Sequence, residues 1–147
     1  MYGTLLILHV LAATIWTGGH IVLALVVLPR VLKDKAPQEL LKFESAYEYL
    51  GMPALLIQIV TGFMLVHHML PDVEQWLNFK NPILHVLAAK IILLLFTAAL
   101  AIDAQLRVLP KLSEKNLWDM AWHIIAVTIM SVLFVVVGVS VRTGWLY

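Results

Sequence analysis

Hydrophobic residues fall in four long runs, at about 3–29, 50–70, 83–109 and 118–141, and polar residues gather in the stretches between them. A helix rises about 1.5 Å per residue, so about 20 apolar residues cross the roughly 30 Å hydrocarbon layer of a bilayer. Each run meets that length. The pattern predicts an all-α fold, an integral membrane four-helix bundle running up-down-up-down, in one domain over residues 1–147. Pro37 followed by Gln38-Glu39 suits the first turn of a short amphipathic surface helix. Gly51 and Pro53 then predict a bend where that helix meets the second span. Pro71 and Pro82 bracket the second loop, whose Trp76 and Phe79 suit the headgroup region. Asn116, three residues before Asp119, reads as the N-cap of the fourth span. No internal repeat stands out in this pattern.

The chain is 62% hydrophobic and only 13% charged. A water-soluble domain of that length needs far more polar surface, so composition agrees with the apolar runs. There is no cysteine, which removes disulfides, iron–sulfur clusters and thiolate metal sites together. Met1-Tyr2 offers no basic leader, and the first run is too long for a cleavable one, so the first span is expected to be retained. Charge sets a direction. Arg30, Lys33, Lys35 and Lys42 lie in the first loop and Arg107, Lys111 and Lys115 in the third, against Lys80 and Arg142 on the other side. Basic loops stay in the cytoplasm, so both termini are expected on the outer, periplasmic side of a bacterial inner membrane. The charge pattern gives no reason to invoke a nucleic-acid partner.

Ionisable groups inside a spanning helix are costly and usually face the protein interior. That singles out the first run. His9 and His20 are eleven residues apart; at about 100° and 1.5 Å per residue they share a face within about 20° and stand roughly 16 Å apart. Trp16 falls on the same stripe. The six histidines split into an outer set, His9, His67, His68 and His85, and an inner pair, His20 and His123. Met64 and Met69 stand within a turn of His67 and His68. Asp103 returns to the face of His85 about 27 Å deeper, and Lys90 lies about 140° off that face. Both are candidate proton carriers, and Asp103 is also placed to pair with Arg30 or Arg107.

Two chemistries fit this layering. One is haem b, in one or two copies, with His9 and His20 as axial ligands and His85 and His123 as partners across the bundle. Ala12, Ala13, Gly18 and Gly19 leave room for a porphyrin, Trp16 lies against it, and Arg30 inside and Lys80 or Arg142 outside meet propionates. Such centres serve electron transfer or oxidase chemistry with a membrane redox partner, and a homodimer supplies the volume they need. The other is copper, captured by His67, His68, Met64 and Met69 and received further in by His20 and His123. Against both stands a structural subunit whose polar residues only bond helix to helix. No nucleophile–base set identifies a catalytic site.

His9 followed by Trp16, then Gly18-Gly19-His20 and Leu28-Pro29-Arg30, resembles the first span of the copper-resistance-D (CopD) family. Thr61-Gly62, the His85 to Lys90 segment, and Trp122-His123 with Val127-Thr128 extend the resemblance over nearly the whole chain, in its small four-helix form. Longer members carry additional helices that this chain lacks. The resemblance implies copper handling across the inner membrane beside a periplasmic copper-binding partner. The plan is more distantly similar to the HemJ type of protoporphyrinogen oxidase, a small helical membrane protein that binds haem b. That likeness rests on His9, Trp16, a Leu-Pro-Arg at longer spacing and a lysine in the third span, and His20 falls outside it.

Overall fold

The computed structural model describes residues 1–72, 74 and 80–145; Trp76 and Phe79, expected at the headgroups, lie outside the described residues. Among these there is no strand. Four helices are long and apolar enough to cross a membrane: α1 (Tyr2–Asp34), α2 (Pro37–Met69), α3 (Pro82–Lys111) and α4 (Leu117–Thr143). The all-α expectation therefore holds, although the helices overrun the apolar runs.

The first helix continues through Pro29 because it widens just before it. Proline has no N–H, and its ring collides with the carbonyl four residues back. In α1 that carbonyl belongs to Leu25, inside a π-helical turn at Leu23–Val27, with the Leu28 N–H bonded to the Leu23 carbonyl. The third helix repeats the device before Pro110: Ala104–Val108 is π-helical and the Leu109 N–H bonds the Ala104 carbonyl. A wider turn moves the offending carbonyl aside and lets the chain stay helical.

The helix expected to start at Pro37 is found, and it runs into the second span as one element. Pro37–Met69 is one helix of 33 residues with Pro53 inside it. Proline there removes only the ladder bond to the Tyr49 carbonyl, and contact along α1 outweighs that loss. The expected N-cap is also half right. Asn116 occupies the cap position of α4, but its side chain turns back to accept from the Ser113 N–H at 2.7 Å.

Along its length α2 packs on α1, α1 on α4, and α4 on α3, while α2 and α3 scarcely meet. The apolar core, with Leu23, Val31, Leu40, Val108 and Met120 buried in it, sits toward the end that carries the first and third loops. Facing outward are Leu25, Leu56, Leu95, Phe96 and Leu106, a surface suited to lipid rather than water.

A repeat that the hydrophobic pattern hides becomes plain once the two π turns are seen, and it corrects the expectation of none. Ile7-Leu8-His9-Val10-Leu11-Ala12-Ala13-Thr14-Ile15 recurs as Ile83-Leu84-His85-Val86-Leu87-Ala88-Ala89-Lys90-Ile91, changed only at Thr14 and Lys90. Val27-Leu28-Pro29-Arg30 is echoed by Val108-Leu109-Pro110-Lys111 at a spacing of 81 residues, five longer than the 76 that separates His85 from His9. Gly138 follows Gly62 by 76 residues, the spacing that separates His85 from His9. The packing order α2–α1–α4–α3 is the order two like hairpins take when set back to back. A run built from so few apolar residue types conceals such identity until structure aligns it.

Candidate functional site

The histidines of α1 are held in a defined way. His9 Nδ1 lies 2.9 Å from Thr61 Oγ1. Thr61 donates its own proton to the Ile57 carbonyl at 2.6 Å, so toward His9 it accepts and Nδ1 carries the hydrogen. Gly62 makes the approach possible, since a Cβ there would stand 3.3 Å from the His9 ring. His20 Nδ1 lies 2.8 Å from the Trp16 carbonyl, which can only accept. Both imidazoles therefore donate from Nδ1 and keep the Nε2 lone pair. An N–H given to an oxygen, with the other nitrogen bare, is the posture of a metal-ligating histidine.

Around His20 the helices make a cleft. Trp16, His20 and Leu23 line it from α1, Glu44, Tyr47, Glu48, Gly51 and Met52 from α2, Thr97, Ala101 and Gln105 from α3, and Met120 and His123 from α4. Its enclosed volume is about 120 Å³. Tyr47 secures the α1 side by donating to the Trp16 and Ile15 carbonyls at 2.9 and 3.1 Å. Its ring meets that of His20 edge-on at 5.5 Å, and the Trp16 ring lies 4.4 Å from the other side of His20. Gly19 is obligatory here, because a Cβ at that position would overlap the Tyr47 ring. Two buried polar atoms in the cleft wall, Trp16 Nε1 and Thr97 Oγ1, have no hydrogen-bond partner.

His123 shares the cleft but is chemically unlike His20. Its Nδ1 faces the Asp119 carbonyl and its Nε2 faces Asp103 Oδ2, each at 2.8 Å. Asp103 Oδ2 also accepts from Arg107 at 2.8 Å, so both ring nitrogens of His123 face acceptors. Neither nitrogen is open to a metal in this arrangement. Arg107 is clamped between Asp103 and Asp119, at 2.8 and 2.7 Å. Of the two arginines considered for Asp103, Arg107 takes the place; Arg30 is exposed and bonds Glu39 at 2.9 Å.

The other candidates lie apart. His85 is exposed on α3 and does not meet His9. Lys90 reaches Gly138, where a Cβ would stand 3.3 Å from Nζ, and its charge is near enough to act on His9. At the opposite end of the molecule from Arg107, His67, His68 and Met64 line a shallow pocket with Met1, Leu5 and Phe63. Met69 is not part of it. His68 stacks on Tyr2 at 5.1 Å, and Arg142 donates to the Tyr2 hydroxyl at 2.9 Å. Sequence reasoning missed Met1, Met52, Met120, Tyr47 and Thr97. Tyr47 had a signal, since Phe43, Tyr47 and Gly51 fall at four-residue steps on one helix face.

A haem pair with two axial imidazoles each does not fit these residues. His123 has both nitrogens engaged, His85 is turned away, and neither Arg30 nor Arg107 reaches into the cleft as a free cation for a propionate. The cleft, open on one side and about 120 Å³ in volume, is below the roughly 300 Å³ at which pockets for drug-sized ligands begin, so within one chain it has no room for two porphyrins. Among the described residues, no three His, Asp or Glu side chains converge as a hard metal site. Soft donors do gather: Met1, Met64, His67 and His68 at one end, and His20 with Met52 and Met120 in the cleft. Comparison with protein-family models, with curated proteins and with solved structures finds no match, so the site is read from its own chemistry.

Proposed function

We propose that this is a multi-pass protein of the bacterial inner membrane, an up-down-up-down bundle with both termini outside, that binds and passes monovalent copper. The observation that carries the reading is the collection of histidine and thioether donors around two separate pockets, one at each end of the molecule. Cu(I) selects thioether and imidazole ligands, and few of them suffice. The outer group receives the ion, and His20, with Nε2 bare, holds it deeper in. A periplasmic copper protein is the partner such an outer site serves.

One haem b on His20 as its single axial histidine is the second reading. The bare Nε2 favours it, and the unpartnered Trp16 and Thr97 donors suit a carboxylate. Held there, the group would supply one-electron redox chemistry. A second copy of the chain across the open α2/α3 side would add volume.

One preparation separates the readings: detergent-purified protein, its visible spectrum before and after dithionite, metal analysis, and anaerobic Cu(I) titration. The expected result is a colourless protein that binds Cu(I), with affinity lowered at least tenfold by Met64→Leu with His67→Ala. A Soret band that responds to dithionite, without copper, replaces copper with haem b.

A further inference from the structure

The α2/α3 side of the molecule is open for a reason that its residues state. On the matching side, α1 and α4 are drawn together by hydroxyls: Thr17 donates to the Ser131 carbonyl at 3.3 Å and Thr128 to the His20 carbonyl at 3.1 Å. At the 76-residue spacing of the repeat, Met52 and Leu55 of α2 stand where α4 has Thr128 and Ser131. Neither side chain can donate a hydrogen bond to a neighbouring helix. Two like hairpins thus share one zipped seam and one unzipped seam, and the cleft occupies the unzipped one.

Its lining changes character along its length. At the mouth, toward the first and third loops, stand Glu44, Glu48 and Gln105. The two glutamates are one helical turn apart and, among the described residues, make no ion pair with Lys or Arg. The cation nearest the mouth, Arg107, is already matched by two carboxylates. At the deep end stand Trp16 and Thr97, fourteen residues into α1 and fifteen into α3, midway along each helix. Both are more than nine-tenths buried, and Trp16 Nε1 and Thr97 Oγ1 have no protein partner. A buried polar atom left bare costs about 1–3 kcal/mol, a cost that a small side-chain movement opening either atom to the cleft would remove. A space of 120 Å³ is far above the roughly 15 Å³ that one water needs.

We propose that this cleft is a hydrated vestibule with an acidic mouth, admitting water and small cations from the inner face to the middle of the span, where it ends at Trp16 and Thr97. Carboxylates at a narrow, low-dielectric opening concentrate cations and repel anions. The vestibule stands on the shape and lining of the cleft whichever metal group His20 holds, and its opening to the inner face rests on the proposed orientation, which right-side-out vesicles treated alongside everted ones test separately. For a copper-passing protein it is the inner half of the route. For a haem protein it is the path by which protons reach the site.

The cysteine-free chain makes the test direct. Single substitutions Ala101→Cys and Ala104→Cys place a thiol in the cleft wall, and Ala98→Cys and Ala99→Cys place one on the exposed outer faces of the same helix. Everted membrane vesicles are treated with small membrane-impermeant thiol reagents, one cationic and one anionic. The expected result is modification of the first two and not the last two, several-fold faster with the cationic reagent, the preference falling to near unity in Glu44→Gln with Glu48→Gln. Modification of Ala98→Cys at the rate of Ala101→Cys, or none at either lining position in everted and right-side-out vesicles alike, overturns the vestibule; modification only in right-side-out vesicles overturns the orientation. Equal rates with both reagents overturn its acidic mouth. Deuterium exchange of the Trp16 indole N–H in the unsubstituted protein is the second readout; persistence over days overturns the water contact. No metal enters either measurement, so failure of the copper reading leaves both intact.

Discussion

The α1–α2 hairpin and the α3–α4 hairpin are built on one plan and hold opposite chemistry. In the first, an imidazole packs against a glycine: His9 against Gly62. In the second, the matching glycine, Gly138, receives the Lys90 ammonium. Tyr47 of the first becomes His123 of the second at the same 76-residue spacing. Tyr47 locks a neighbouring histidine in place, whereas His123 is itself locked, between Asp103 and the Asp119 carbonyl. The first half therefore presents bare imidazole nitrogens, and the second half presents a lysine and a histidine held between a carboxylate and a carbonyl. A repeated backbone fixes where side chains meet; the few positions that differ decide whether a meeting point can ligate.

The shared plan is broken most severely at the π turns. Leu25 and Leu106 are exposed, stand four residues before Pro29 and Pro110, and lie inside the two widened turns. Deleting Leu25 closes the turn to ordinary α-helix and drives the Pro29 ring into a carbonyl, at a cost of about 3 kcal/mol. Adding Pro29→Ala to the deletion should restore most of that loss, a non-additivity that thermal unfolding in detergent measures. The same pair at Leu106 and Pro110 should behave alike. A deletion that is harmless with the proline present would show that the widened turn is not there to accommodate it.

Next in size is the contact that only the first hairpin makes. Gly19→Ala pushes a methyl into the Tyr47 ring, whose hydroxyl is anchored on two α1 carbonyls. Overpacking together with loss of those bonds should cost about 2–3 kcal/mol. At the 76-residue spacing the second hairpin has Leu95, exposed on the outer surface, and Leu95→Ala should stay within about 0.5 kcal/mol. Equal drops in melting temperature would mean the two hairpins pack alike after all.

These contrasts mark what sequence could and could not tell. The four spans and the shared stripe of His9, Trp16 and His20 follow from period and length, because a helix obliges residues eleven apart to face together. Which histidine meets which polar group does not follow, because rotation and depth of one helix against another are set by packing. His123 shows this best. Its depth beside His20 was legible, yet Asp103, twenty residues earlier on another helix, takes the nitrogen that ligation would need. Gly51 and Pro53 are breakers in isolation, and within Pro37–Met69 contact with α1 overrides them. The nine-residue repeat lies in the sequence itself, hidden because both copies are built from the few apolar residue types that fill every span.

The finest test concerns the protons themselves. In ¹⁵N-histidine spectra of the protein in bilayers near neutral pH, His9 and His20 should each show one protonated and one bare nitrogen. His123 should show two protonated nitrogens, because its partners are a carbonyl and a carboxylate, acceptors both. Asp103→Asn exchanges the carboxylate for an amide that can donate from its own nitrogen. His123 should then lose the Nε2 proton and take the pattern of His20, while His9, which bonds Thr61 on another helix, stays as it was. A bare nitrogen on His123 in the unsubstituted protein would erase the contrast between the hairpins and return His123 to the candidate ligands. Unchanged double protonation in Asp103→Asn would instead move the holding charge from Asp103 to Asp119, whose carboxylate lies 3.8 Å from the other ring nitrogen.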